Sequence, residues 1–326
     1  MNRAFSRREF LQASSATAMA SAVAMSAWPA TSAEAASHAP FRGTLCLFSK
    51  PVPQLSWSEL AQQAKQAGFD GIDLTVRPEG HVRPERAATD LPKAVAAIRA
   101  EGMEVPMIST ALVSAADPTA EPILETASKL KIPYVKPGYY FYKLVNVVEE
   151  RNRAGDSIRG LVELAEKYQI QIGYHNHTKY IGAALWDIAP VMDSVDSRWC
   201  GYYFDLGHAS VDLGEDGWKV ASNLVLPRLK MVGAKDFTWK PRGPHRWHAE
   251  PCPMGQGITP WREFLGLLAQ SNFHGPISLQ QEFTIPGVTD NQGIALSRAT
   301  VPQVMASAKT NLDYLKSVLR EAYQQT

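Results

Sequence analysis

The sequence predicts a (β/α)₈ barrel, and three observations favour that fold. Short apolar runs typical of buried strands alternate with segments of helical periodicity. Eight such runs follow one another along the chain, and no break in composition separates them after the N-terminal segment. Eight strand and helix units in one chain favour a closed barrel over an open, doubly wound sheet.

The first 35 residues have the pattern of an export signal. Arg7 and Arg8 precede a weakly apolar run, and the small-residue motif AEA ends at Ala35. We expect residues 1–35 to be a twin-arginine signal read by the Tat translocase. Residues 36–326 then form one barrel domain in the periplasm, with no stable membrane anchor.

The first four predicted strands are short apolar runs, each followed by an amphipathic segment. Ser56 and Glu59 have capping-box spacing at the first helix, and Gly102 is a C-cap candidate for the second. The predicted strands are 43–49, 70–76, 104–110 and 134–140, and the helices between and after them are 56–69, 90–102, 119–132 and 156–170.

The second half of the chain continues the alternation, with a long Pro- and Gly-rich loop after the seventh strand. The predicted strands are 171–177, 201–208, 228–237 and 275–283, and the predicted helices are 184–195, 259–273 and 304–324. The loop from Asp236 to Pro260 is long for a barrel and suits a lid.

Composition excludes two classes of protein. Three arginines and two glutamates fall in the first 35 residues, so the remainder of the 33 basic and 32 acidic residues is formally neutral. Without a basic face, a nucleic-acid partner is not expected. Cys46, Cys200 and Cys252 are too few and too far apart for a disulfide framework or a cysteine zinc site.

Polar residues gather at the predicted C-terminal ends of several strands. His175 and His177 follow the fifth strand in the motif YHNH, Asp205 and His208 lie in FDLGH, and Glu282 lies in QQEF. Barrel closure brings these ends to one mouth. An imidazole and two carboxylates, such as His175, Asp205 and Glu282, would suit a divalent metal with positions open to substrate.

These motifs, with PMGQG in the long loop, resemble the sugar phosphate isomerase/epimerase superfamily of xylose-isomerase-like barrels. The resemblance covers nearly the whole chain after the signal and implies a divalent metal, Mn²⁺, Zn²⁺, Co²⁺ or Mg²⁺, held from strands 5 to 8. It implies His175, Asp205 and Glu282 as ligands and His208 as a substrate-binding histidine.

One position departs from the family pattern. Where the family commonly has His-x-Lys-Asp after the seventh strand, this chain has GAKD, with Gly233 at the ligand position. Three alternatives stay open: water or a substrate oxygen fills the gap, a loop histidine (His245 or His248) folds in, or there is no metal.

The resemblance implies removal of a proton from carbon next to a carbonyl or hydroxyl group. Glu282, His177 and His208 are the candidate acid and base groups, and Lys235 is a candidate for binding a developing oxyanion. We expect Lys136, His245 and Trp239 to contact a carbohydrate substrate, since aromatic rings stack on the C–H faces of sugars.

The expected substrate is a free sugar or cyclitol, because the periplasm holds few sugar phosphates and no phosphate-binding glycine loop is present. Two alternatives remain. One is a lyase that eliminates the aglycone from a 3-keto-glycoside with the same groups. The other is a sugar-binding barrel without activity, for which Gly233 is the main argument.

Overall fold

The structure is a computed structural model that describes residues 40–324. The predicted signal and its boundary lie outside this range. The strands are β1 (Leu45–Phe48), β2 (Gly71–Val76), β3 (Glu104–Thr110), β4 (Tyr134–Lys136), β5 (Gln171–His175), β6 (Cys200–Asp205), β7 (Leu229–Ala234), β8 (Asp236–Pro241), β9 (Trp247–Cys252) and β10 (Ile277–Leu279).

The helices alternate with the barrel strands. They are α1 (Trp57–Ala67), α2 (Ala87–Ala100), α3 (Ala120–Lys129), α4 (Val147–Lys167), α5 (Leu185–Asp193), α6 (Leu206–Val225), α7 (Trp261–Gln270) and α8 (Val301–Gln324), with short 3₁₀ turns at Pro84–Arg86, Leu226–Arg228 and Arg298–Thr300. A kink at Gly214, whose φ is 73°, interrupts α6.

Eight parallel strands close into a barrel in the order β1-β10-β7-β6-β5-β4-β3-β2. The closing pair joins the first and last strands of the barrel, with Leu45 opposite Ile277 in register. The predicted (β/α)₈ fold is therefore confirmed. In such barrels the loops after the C-terminal ends of the strands carry the reactive groups.

Apolar side chains fill the space between the strands and the ring of helices. Leu60, Ile72 and Ile98 are fully buried there, and each contributes about 1.5–3 kcal/mol by leaving water. Inside the barrel, Met107, Tyr203 and Met231 pack as a separate buried cluster. The layer above that cluster, toward the mouth, is polar.

The predicted capping box of the first helix is confirmed, whereas the C-cap of the second helix is Glu101, one residue before the predicted Gly102. The Ser56 side chain accepts from the backbone N–H of Glu59, and the Glu59 carboxylate accepts from the backbone N–H of Ser56. Gly102 follows α2 with φ 76°, a conformation that glycine adopts without steric cost.

Several predicted strands are too long. β4 stops at Lys136, directly before Pro137, which has no N–H to donate to a ladder. β5 stops at His175, so His177 lies in the following loop. β6 stops at Asp205, whose side chain accepts from the backbone N–H of His208 and begins α6, a helix that was not among the predicted elements.

The predicted seventh strand and long loop form β7 followed by an antiparallel hairpin of β8 and β9. Asp236 lies at the base of this hairpin and is buried. Its carboxylate accepts four backbone N–H groups, those of Phe237, Gly255, Gly257 and Thr259, at 2.8–3.2 Å. Asp236 therefore fixes the hairpin and its return segment to the barrel.

Among residues 40–324, no helix has the length and apolar character needed to cross a bilayer.

Candidate active site

A cavity of about 380 Å³ opens at the C-terminal mouth of the barrel. Its wall is polar and carries three basic side chains. Lys50 follows β1, Arg77 follows β2 and Lys136 ends β4, and His177 and Glu282 also line the cavity. No carboxylate within the described chain forms a salt bridge with Arg77 or Lys136.

A buried lysine lies at the centre of the polar groups beneath this mouth. The Nζ atom of Lys235, the residue between β7 and β8, is 3.2 Å from Asp205 Oδ2 and 2.9 Å from Glu282 Oε2. It is also 3.1 Å from His208 Nε2. Burial alone would lower the pKa of Lys235, but the two carboxylates raise it above its ordinary value.

Glu282 is shared between two lysines. Lys50 Nζ donates to Glu282 Oε1 at 2.5 Å, while Lys235 donates to Oε2. Burial opposes ionisation of this carboxyl, yet the two ammonium groups hold the pKa of Glu282 well below its ordinary value. Both oxygens are occupied, so Glu282 is a poor proton acceptor as it stands.

The hydrogen bonds around His208 have one consistent direction. The Lys235 ammonium only donates, so His208 Nε2 accepts and Nδ1–H donates to Thr178 Oγ1 at 2.8 Å. Thr178 in turn donates to Asp212 Oδ2 at 3.1 Å. Burial and the positive charge of Lys235 lower the pKa of His208, so its imidazole is neutral.

His175 is also neutral and fully engaged. Its Nε2 is 3.3 Å from Asp205 Oδ2 and its Nδ1 is 2.8 Å from the Tyr139 hydroxyl. Because an ionised carboxylate only accepts, Nε2 carries the proton and Nδ1 accepts from Tyr139. Burial, together with Lys235, lowers the pKa of His175.

His177 is the one cavity histidine with a free nitrogen among the residues that the structure describes. Its Nδ1–H donates to the Thr178 carbonyl at 3.0 Å, which leaves Nε2 as an unpaired acceptor. Burial, and then the charge of Lys235, lowers the pKa of His177 to about 4. The ring packs 3.9 Å from that of His208, measured between centroids.

The donor set does not fit a divalent metal in this arrangement. Asp205, Glu282 and the two histidines converge as predicted, but Lys235 Nζ lies between them, and Lys50 takes the other oxygen of Glu282. Within residues 40–324 no three His, Cys, Asp or Glu side chains are placed to hold one ion.

Gly233, which stands where the family commonly has histidine, lies next to the Asp205 carboxylate. A Cβ atom at Gly233 would lie 3.0 Å from Asp205 Oδ2. The position therefore faces the carboxylate, as a ligand position would, but the space for a side chain is narrow. The hairpin histidines do not replace it: His245 is exposed in the turn between β8 and β9, and His248 Nε2 lies 3.7 Å from Glu250.

Of the other residues predicted to contact substrate, one lines the cavity and two do not. Lys136 lines the cavity, with Nζ 3.5 Å from the centroid of the Tyr139 ring. Trp239 and His245 lie on the hairpin and do not line it; Trp239 borders a separate surface groove with Trp218. Asn176, between the two site histidines, pairs its amide with the backbone of Asp205 and so aligns β5 with β6.

Lys50 and Arg77 were missed in the sequence. Each is the first cation after a strand, in LCLFSK and GIDLTVR. Both would have been found by examining the residues after every predicted strand, since β1 and β2 end at the same mouth as β5, β6, β7 and β10.

Solved structures share this barrel at low sequence identity. They include D-psicose 3-epimerase from Clostridium cellulolyticum H10 (12% identity, TM-score 0.61, 85% of this chain and 99% of that one). A xylose isomerase-like barrel protein from Mycobacterium smegmatis in complex with magnesium matches at 16% identity and TM-score 0.64, over 86% and 98%. The 3-keto-D-glucoside 4-epimerase of E. coli matches at 16% and 0.61, over 84% and 99%. These likenesses show the fold.

Curated relatives match over a shorter stretch. Inosose dehydratase from Bacillus thuringiensis (strain Al Hakam) is 34% identical over 95 residues, which is 29% of this chain and 31% of the relative. The match therefore spans less than a third of that protein. A family model described as "Xylose isomerase-like TIM barrel" matches residues 61–292. The chain belongs to the xylose isomerase-like TIM barrel family.

Proposed function

We propose that this protein is a sugar isomerase or epimerase-like enzyme that removes a proton from carbon next to a carbonyl group. Its substrate is a free sugar or a cyclitol. Membership of the barrel family and the polar cavity at the strand ends support this function. The cavity volume of about 380 Å³ is in the range of small-molecule sites.

One observation carries the proposal: a neutral imidazole with a free nitrogen lines a cavity whose other charged groups are mainly cations. His177 Nε2 is the free base, and Lys50 and Arg77 are the cations. This combination suits removal of a proton next to a carbonyl, because a base takes the proton while negative charge develops on the carbonyl oxygen.

In the proposed step His177 Nε2 takes the proton as the carbon–hydrogen bond breaks. The electron pair forms a carbon–carbon double bond, and the carbonyl oxygen becomes an enediolate oxygen stabilised by the Lys50 ammonium. Return of the proton from His177 to the former carbonyl carbon gives an isomer, as the neighbouring hydroxyl passes its proton to the enediolate oxygen and becomes the new carbonyl. Protonation of the original carbon on its other face, by a second acid, gives an epimer. We assign Glu282 to positioning Lys50.

We also propose that the enzyme is exported by the twin-arginine pathway and acts in the periplasm. Arg7, Arg8 and the small-residue motif at Ala35 support this placement. A periplasmic location is consistent with a free sugar as substrate.

A second candidate is a lyase of the same fold. The match to inosose dehydratase favours it, because dehydration begins with the same proton abstraction. The substrate would be a keto-sugar or a 3-keto-glycoside, from which the electron pair expels hydroxide or an aglycone as the double bond forms. His177 serves as the base in both reactions.

Incubation with a ketose and with a 3-keto-glucoside in deuterated water tests these functions. Deuterium on carbon without bond cleavage supports isomerisation or epimerisation, whereas an unsaturated sugar with release of water or aglycone supports the lyase. We expect His177→Gln to slow either reaction by about 10²–10⁴-fold. A matched control is His274→Gln, at the opposite end of the barrel, where the histidine accepts from Arg42 N–H.

No deuterium incorporation and no cleavage with any keto-sugar, despite sugar binding, would overturn the catalytic proposal. That outcome would favour a sugar-binding barrel without activity.

A further inference from the structure

We propose that a built-in lysine pair replaces the divalent metal in this chain. Lys235 fills the position between the acidic groups, and Glu282 holds Lys50 so that its ammonium faces the substrate oxygen. The catalytic role of Lys50 rests on the proposed function, but the placement of the Lys235 ammonium between the acidic groups does not.

The position of Lys235 is the first support. Its Nζ is within 3.2 Å of Asp205 Oδ2, Glu282 Oε2 and His208 Nε2, three atoms from β6, α6 and the segment after β10. A divalent ion shared by such ligands would stand about 2.0–2.2 Å from each, at the same central point. The ammonium and the ion therefore exclude each other.

The charge balance is the second support. Asp205 and Glu282 bring two negative charges, and Lys235 and Lys50 bring two positive charges to the same atoms. The side chain of Asp205 is fully buried and that of Lys235 is 3% exposed. A dication added to this neutral group would leave uncompensated positive charge away from water, which is strongly unfavourable.

The nitrogen lone pairs are the third support. His175 Nε2 carries a proton toward Asp205, and His208 Nε2 accepts from Lys235. The proton on His175 Nε2 keeps that nitrogen from binding a metal, and the lone pair of His208 Nε2 is taken as long as Lys235 is in place. Gly233, where the family commonly has histidine, removes the remaining imidazole.

Exposure assigns different roles to the two lysines. The Lys50 side chain is 14% exposed and lines the cavity, whereas Lys235 is 3% exposed and lies behind Glu282. Lys50 is thus the group that can touch a substrate oxygen. Lys235 is a positioning residue, which acts by fixing the carboxylate that orients Lys50.

Titration of the purified protein with Mn²⁺ tests the inference without any substrate. After dialysis against a chelator, bound Mn²⁺ is measured by electron paramagnetic resonance and the unfolding temperature is recorded with and without the ion. We expect no binding by the wild-type chain and no thermal shift. Stoichiometric Mn²⁺ binding by the wild type would overturn the inference.

Two lysine variants separate the central position from general charge. Lys235→Met empties the position and leaves the acids without their cation, so we expect at least about a tenfold gain in Mn²⁺ affinity. Lys50→Met is the matched control: it also removes a partner of Glu282 but leaves Lys235 in place, so it should gain no Mn²⁺ binding. Equal gains in both variants, or none in folded Lys235→Met, would overturn the assignment of Lys235.

If Lys235→Met does not fold, Mn²⁺ titration of the wild-type chain still tests whether the position can hold a metal. Lys235→Arg, which keeps the positive charge, should remain unable to bind Mn²⁺. Deuterium exchange in the presence of EDTA separates this inference from the proposed function. Exchange that survives EDTA supports both. Absence of exchange overturns the function alone, whereas exchange abolished by EDTA and restored by Mn²⁺ overturns the lysine replacement alone.

Discussion

Replacing Asp73 by asparagine should stabilise the protein at neutral pH. Asp73 points into the barrel and is fully buried, where its carboxylate accepts from the hydroxyls of Ser109 and Ser278 at 2.8 and 2.7 Å. Burial raises the pKa of Asp73 from 3.8 to about 6, although the two serines and Lys136 oppose the shift.

The magnitude follows from the difference between the two pKa values. Because the folded-state pKa lies above the unfolded value, the native state binds the proton more tightly, and ionisation of Asp73 destabilises the fold. The loss develops as pH rises from about 4 to about 6 and reaches about 3 kcal/mol above pH 7. Asparagine keeps the shape, carries no charge, and can bond both serine hydroxyls, which donate or accept.

Urea unfolding of wild type and Asp73→Asn at pH 7.5 and pH 4.5 measures this effect. We expect the variant to be more stable by about 1–3 kcal/mol at pH 7.5 and by less than about 1 kcal/mol at pH 4.5. A variant that is less stable at pH 7.5, or a difference that does not change with pH, would refute the reasoning.

Asp236→Asn is the matched control, because the same substitution should act in the opposite direction. The Asp236 carboxylate accepts two N–H groups on each oxygen. In either orientation an asparagine NH₂ faces two donors, so we expect a loss of about 3–5 kcal/mol in the same unfolding experiment. Equal stability of Asp236→Asn and wild type would contradict the hydrogen-bond assignment.

Three further substitutions test packing, capping and the cavity. Gly173→Ala should lower the unfolding temperature by the equivalent of about 1–3 kcal/mol, because its Cβ would lie 2.0 Å from Met231 Cε; an unchanged value would mean that Met231 moves freely. Ser56→Ala should cost about 1 kcal/mol in thermal unfolding by removing the cap of α1. Lys136→Met should raise the unfolding temperature, since burial lowers the pKa of Lys136 well below its ordinary value. It should also raise KM more than it lowers kcat. An unchanged KM would show that Lys136 does not contact the substrate.

The fold was readable from the sequence because each strand and helix unit carries its own signal. Apolar runs and amphipathic segments are local patterns, and the presence of eight such strand units favours a closed barrel. Strand ends were less accurate. Pro137 and the capping role of Asp205 shorten β4 and β6, and the β8–β9 hairpin lies where the sequence showed only turn residues.

The convergence of His175, Asp205 and Glu282 was also readable, since it follows from barrel topology. Their partners were not. Which nitrogen of an imidazole is protonated depends on neighbours distant in sequence, such as Tyr139 for His175. Lys50 lies 232 residues from Glu282 along the chain, and a lysine after a strand is most often a solvent-exposed charge.

The glycine at 233 decides what the lysine at 235 can contact, because the lysine belongs to the family pattern His-x-Lys-Asp and only the glycine departs from that pattern. Alternation along an extended chain places both positions on the inner side of the barrel, one layer apart. A Cβ at Gly233 already lies 3.0 Å from Asp205 Oδ2, so an imidazole there would occupy the space beside the carboxylate that the Lys235 ammonium reaches from the layer above. Histidine at 233 and an inward-folded Lys235 therefore compete for Asp205. Without the imidazole the lysine can bind both acids, and the position that would hold a dication holds a single covalently attached charge instead.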